Sequence, residues 1–151
     1  MSDAPSHPVP HQIGPDRASI HGTAVSINEQ ALLILGPSGA GKSGLAAQLI
    51  ALGGKLVADD MVHLRPSKTG LVAHAPPNGP GGIELRGIGI VRPGRIATAP
   101  LAVAILLSPS SARLPEPEFF ETLGRTVPLL RHPATADLAA KLLLWMTARD
   151  G

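Results

Sequence analysis

The chain has 151 residues, 44% hydrophobic but only 2% aromatic, with a formal net charge of +2 and no cysteine. That length suits one domain, its core must come from Leu, Ile, Val and Ala, and the missing cysteine excludes disulfides and thiol chemistry. No Lys/Arg run marks a nucleic-acid surface, the N-terminus lacks the basic and apolar regions of a signal peptide, and the longest apolar stretch, IATAPLAVAILL, is broken by Thr98 and Pro100 and too short for a bilayer. A cytoplasmic protein without nucleic-acid or membrane partners is expected.

Residues 1–16 are rich in Pro, His and polar groups and are expected to form a flexible tail, leaving 17–151 as the folded domain. ASIHGTAVSI (18–27) is β-branched and reads as a strand pair, or one strand bent at Gly22, with Asn28-Glu29-Gln30 as a turn. ALLIL (31–35) has no polar face, as expected of a buried central strand. GPSGAGKS then fills the pattern G-x-x-x-x-G-K-[ST] with Gly36, Gly41, Lys42 and Ser43. Glycines there let successive backbone N–H groups aim at phosphate oxygens, and the next helix adds its positive end. The lysine neutralises β- and γ-phosphates, and the serine hydroxyl ligates Mg2+. The helix is expected from Lys42 to about Leu52, with Leu45, Leu49 and Leu52 on one face and Gly53-Gly54 as its stop.

KLVADDMVHLR reads as strand, acidic pair, strand. Asp59 and Asp60 end an apolar strand, and carboxyl ends of strands in an α/β sheet face one crevice. One carboxylate can hold a metal and the other take a proton from an attacking hydroxyl; the plainer reading is an Asx-type turn. His21, on spacing alone, fits a surface or core histidine. LVAHA is a strand and PPNGPGG a loop. In IELRGIGIV, Glu84 and Arg86 are expected on one strand face, with Gly87 and Gly89 thinning the strand for close approach. That pair suits a metal ligand with a phosphate clamp, or a surface ion pair on an edge strand. LAVAILL (101–107) is a second buried strand, and 108–118 is loop. TADLAAKLLLWMTA is a core-facing helix, with Leu138, Leu142 and Trp145 on one face, broadened by Leu143 and Met146. The pattern predicts an α/β fold containing a P-loop.

The ordered set S-I-H-G, G-P-S-G-A-G-K-S, L-V-A-D-D and I-E-L-R-G-I-G-I resembles the catalytic domain of the HPr kinase/phosphorylase family, over roughly residues 18 to 107. Members phosphorylate a serine of the phosphocarrier HPr and remove that phosphate by phosphorolysis. The resemblance implies a P-loop-containing kinase domain with a central mixed sheet flanked by helices, ATP and Mg2+ as cofactors, an HPr-type protein as partner, and a homo-oligomer, hexameric in the family. It implies that Gly36, Pro37, Ser38, Gly39, Ala40, Gly41, Lys42 and Ser43 cradle the nucleotide phosphates, and that His21 sits beside the transferring phosphate. Asp60 becomes the general base, Asp59 its support or the metal's, Ser43 and Glu84 the Mg2+ ligands, and Arg86 a phosphate-binding residue. The chain resembles a short form holding only the catalytic domain. It departs in Gly44, where many members have Glu, and in VPLLRHPATADLAAK, which lacks the Gly-Arg-Asn-type segment used for phosphate handling and offers only Arg131 or the nearby Arg125 instead. A small-molecule kinase and a non-catalytic nucleotide-binding regulator are the alternative functions, and pyrophosphate the alternative donor.

Overall fold

The computed structural model describes residues 8–79, 81–109 and 116–148. In chain order the elements are β1 (His11–Gly14), β2 (Arg17–His21), β3 (Thr23–Ile27), β4 (Gln30–Leu35), α1 (Lys42–Ala51), β5 (Lys55–Ala58), β6 (Met61–Pro66), β7 (Leu71–His74), β8 (Ile83–Leu85), β9 (Gly89–Val91), β10 (Thr98–Leu107), β11 (Glu118–Thr122), β12 (Arg125–His132) and α2 (Leu138–Ala148).

One sheet runs β1-β2-β6-β7-β10-β4-β3-β5, with β12 also on β10 and β11 on β12. It is mixed: β4 and β12 lie parallel to β10, and the remaining pairs are antiparallel. Strand β10 joins its two halves. Thr98–Pro100 pair with β7, and Leu101–Leu107 pair with β4 and β12 across a bulge between Leu101 and Val103. The sheet curls, so β2 runs straight into β3 through Gly22, and β5 into β6 through Asp59-Asp60. The bend at Gly22 is sterically enforced, since a Cβ there would lie 2.7 Å from the Ile34 carbonyl oxygen.

Strand β4 is apolar throughout because both its faces are covered. Ala31, Leu33 and Leu35 point into the curl, where they meet Ile20, Val62, Leu64, Leu71, Phe120 and Leu129. Leu32 and Ile34 point to the other side, under Leu45, Ala46 and Leu49 of α1 and Leu138, Leu142 and Met146 of α2. Leu52, expected on the buried face of α1, is exposed because the helix ends at Ala51 and Leu52 is its C-cap. Likewise α2 buries Leu138, Ala139, Leu142 and Met146, a stripe at i, i+4 and i+8, and leaves Trp145 half-buried at its margin.

One boundary shifts and one pair of strands is new. The tail expected over 1–16 gives way at His11, because β1 pairs with β2 (His11↔Ser19, Gln12↔Ala18) and the prolines bracket that strand; residues 1–7 lie outside the described residues. Strands β11 and β12 form a hairpin that the sequence does not announce. Its turn holds Leu123 and Gly124 at φ 53° and 74°, and Leu is a residue seldom found at positive φ.

Candidate active site

The loop 36–41 leaves β4 and enters α1. Gly36, Gly39 and Gly41 carry φ of 151°, 83° and 105°, so the curl rests on backbone that side chains resist. The helix has no side-chain N-cap and no acidic residue in its first turn. Its unpaired N–H groups and positive dipole end therefore face outward without a built-in counter-charge. The Lys42 ammonium bends back onto the loop, donating to the Gly36 carbonyl (2.6 Å) and the Pro37 carbonyl (3.1 Å). That holds the cation at the loop mouth. The segment before α2 lies alongside: a Cβ on Gly41 would sit 3.2 Å from the Ala134 Cβ.

The acidic pair stands at the same end of the sheet. Strand β3 runs antiparallel to both β4 and β5, with Thr23↔Ile34 and Ala24↔Ala58 in register. The carboxyl ends of β4 and β5 thus share one edge, one strand apart. At that edge the Met61 N–H donates to the Asp59 carbonyl (2.8 Å), closing a γ turn with Asp60 at its apex and φ of 71°. This positive-φ γ turn is the rare, strained kind. A bond from the Gly22 N–H to the Asp60 carbonyl (3.2 Å) holds it in place.

The two carboxylates serve different neighbours. The Thr23 hydroxyl, 1% exposed, donates to Asp59 Oδ1 at 2.8 Å. The Asp60 side chain is 84% exposed and its Oδ1 lies 3.9 Å from His21 Nδ1, beyond hydrogen-bond distance but close enough for a shared ligand atom or water. His21, Asp59 and Asp60 are therefore one cluster, hung from Gly22 and Thr23 beside the end of β4. Thr23 is the member that reading the sequence missed. Its signal was weak, because β3 carries two buried hydroxyls, Thr23 and Ser26, and only Thr23 stands next to His21 and Gly22 at the corner.

Glu84 and Arg86 are placed differently from expectation. Glu84 lies on β8, whose Ile83 packs into the cluster beneath α1, but Arg86 has left the strand. It is the second residue of a turn closed by the Ile88 N–H on the Leu85 carbonyl (2.9 Å), with Gly87 third at φ 83°. That is the type II position that calls for glycine. The alternation argument fails there, and no other part of the chain approaches the glycines: a Cβ on Gly87 or Gly89 would meet nothing within 4 Å. Both Glu84 and Arg86 are exposed, and they form no ion pair with each other. Nor do Arg125 and Arg131 reach the loop. Arg125 donates to the Ser67 carbonyl (3.1 and 3.3 Å), and Arg131 to Glu118 (2.7 Å).

The oxygen donors suit Mg2+, which takes one or two carboxylates plus phosphate oxygens rather than an all-protein cage. Asp59 has one oxygen tied by Thr23, Ser43 opens α1, and Glu84 stands exposed on the strand packed against that helix. Among the described residues no three His, Cys, Asp or Glu side chains group as a metal cage. Away from the site, burial, then His74 and Arg17, lower the His63 pKa, and burial lowers that of His74. The Thr135 hydroxyl and then Lys141 lower that of Asp137.

The architecture is a mixed α/β fold, a curled central sheet with two helices. It superposes on the structure of the HPr(Ser) kinase/phosphatase from Coxiella burnetii with a TM-score of 0.72 and 26% identity, over 87% of this chain and 88% of that one. The family model for the HPr Serine kinase C-terminal domain matches residues 14–96. The chain belongs to that family. It is 46% identical over 76 residues to the HPr kinase/phosphorylase of Lachnoclostridium phytofermentans, and 45% identical over 82 residues to that of Caldicellulosiruptor bescii. Those matches cover 50% and 54% of this chain but 25% and 26% of the relatives, so the chain spans about a quarter of their length. Among the described residues no helix is long and apolar enough to cross a membrane.

Proposed function

We propose that the protein is an ATP- and Mg-dependent kinase that phosphorylates a serine of an HPr-type phosphocarrier. Its catalytic domain starts at β1 rather than at residue 17, and it works in the cytoplasm as a homo-oligomer. The observation that carries this reading is the shared edge: the Gly36–Ser43 loop and the His21/Asp59/Asp60 cluster stand at the same end of β4 and β5.

ATP places its phosphates on the loop N–H groups and the first turn of α1, and Lys42 turns from the loop carbonyls toward the β- and γ-phosphates. Asp60 accepts the proton of the acceptor serine as its oxygen bonds to the γ-phosphorus and the bond to ADP breaks. His21 positions the transferring group. Ser43 and Glu84 would hold the magnesium ion, with Asp59 in support, and the ion supplies neutralisation of the phosphate charge. Arg86, on its exposed turn, is assigned to phosphate binding only by its place in the family motif. The kinase direction is the one favoured here, because Arg125 and Arg131 are both bonded elsewhere and neither is available for phosphate in the reverse reaction.

Incubation with labelled ATP and the host's HPr tests the reading, beside a metabolite panel. Label on HPr supports it. Label on a small molecule would indicate a metabolite kinase, and tight ATP binding without turnover would indicate a regulator.

A further inference from the structure

We propose that the cleft running from the Asp59-Asp60 corner to Arg95 is an acceptor subsite, taking an apolar residue beside the acceptor serine and an acidic side chain beyond it. The inference rests on the kinase reading above and adds what the acceptor must present.

The cleft has a volume of about 290 Å3, and Leu56, Val57, Ala58, Met61 and Pro76 supply its apolar walls. That is at the lower end of the range for small-molecule clefts, so it suits side chains of a docked segment better than a nucleotide. None of the loop residues Gly36–Ser43 lines it, while Asp59 and Asp60 do. The acids therefore line the cleft and share the sheet edge with the nucleotide loop, so a base there can serve both donor and acceptor.

Arg95 is the cation lining the cleft. Its backbone is pinned beside β5: the Leu56 N–H donates to the Gly94 carbonyl (2.9 Å), and the Ile96 N–H to the Leu56 carbonyl (3.0 Å). Its guanidinium lies against the loop backbone, where a Cβ on Gly81 would fall 2.7 Å from Nη1. It has no hydrogen-bond or ion-pair partner among the described residues, unlike Arg125, Arg131 and Lys141. A guanidinium carried on pinned backbone, exposed to the cleft and lacking an acid is suited to pair with a carboxylate. Hydroxyl at the acid end, apolar body between and carboxylate at the Arg95 end together define the occupant.

The test is steady-state transfer to the host's HPr by the full chain as wild type, Arg95→Glu, Arg95→Gln and Arg95→Lys, with melting curves for each. Arg95→Glu is expected to raise the acceptor KM about tenfold or more. The ATP KM, and kcat at saturating acceptor, should stay within about twofold; Arg95→Gln should fall between, and Arg95→Lys near wild type. HPr whose acidic residues around the acceptor serine are changed to Lys should restore Arg95→Glu and penalise the wild type. An unchanged acceptor KM in folded Arg95→Glu or Arg95→Gln overturns the subsite while leaving the kinase reading standing. A wild type that transfers nothing to HPr removes that reading and the subsite with it.

Discussion

Replacing Asp60 by Gly removes a carboxylate and a strained backbone position together, and the two losses should act in opposite directions. Asp60 holds φ of 71° at the apex of its γ turn. A side chain in the left-handed region costs about 1–2 kcal/mol, with Asp at the tolerant end. Glycine relieves that strain but gives back about 0.5–1 kcal/mol as extra chain entropy. The Asp60 side chain is 84% exposed, so little burial is lost. The net expectation is a gain of up to about 1 kcal/mol, or roughly 1–4 °C in Tm for a domain of this size. Phosphoryl transfer should fall by about 10²–10⁴-fold, the usual contribution of a general base. Asp60→Ala should lose the same activity but melt below Asp60→Gly, because alanine keeps a Cβ at positive φ. Thermal melts and an HPr phosphorylation assay on the three proteins settle it. If Asp60→Gly melts well below the wild type, the carboxylate is holding the corner together; if it still transfers phosphate at the wild-type rate, Asp60 is not in the proton path.

Three further outcomes are expected. Thr23→Val removes the hydroxyl on Asp59 Oδ1 with little change in shape, so kcat should drop about tenfold while stability falls by only about 1 kcal/mol; Thr23→Ser should keep most activity, and equal rates in all three would remove Thr23 from the site. His63 and His74 are half-buried, edge-to-face with ring centroids 5.7 Å apart, and His63 Nδ1 and His74 Nε2 are buried without a partner. Both pKa values are lowered, so the unfolded chain binds more protons, and stability should be full above about pH 7 and decline as pH falls through about 6.5 toward the folded values. Urea midpoints at pH 7.5 and 5.5 measure the decline, and His63→Gln should shrink it; a flat profile in the wild type would contradict the burial. Gly22→Ala, with its Cβ 2.7 Å from the Ile34 carbonyl oxygen, should destabilise by about 1–3 kcal/mol in a melt and depress activity through the His21–Thr23 corner; an unchanged melting temperature would mean that the corner is not sterically fixed.

What could be read in the sequence was local. ALLIL declared a strand covered on both faces, and the acid pair fell at a strand end, because burial and alternation are written in neighbouring residues. The alternation rule failed at Arg86, because the strand stops at Leu85 and the next glycine makes a turn. The β11–β12 hairpin was hidden by a Leu at positive φ and by Pro128 within its second strand, both contrary to local preference and both held by tertiary pairing. Thr23 and Arg95 escaped notice for a different reason. Asp59 lies 36 residues beyond Thr23, and Arg95 lies as far again beyond the acids whose cleft it lines, so only the folded sheet brings either of them to that corner.

The most direct test of the account is ATP-dependent phosphorylation of the host's HPr by the wild type and by Asp60→Asn, with ATP binding measured alongside. The account predicts serine-linked phosphate on HPr with the wild type, and with Asp60→Asn a loss of transfer while ATP still binds. Undiminished transfer by Asp60→Asn, or no transfer by a wild type that binds ATP, would contradict it.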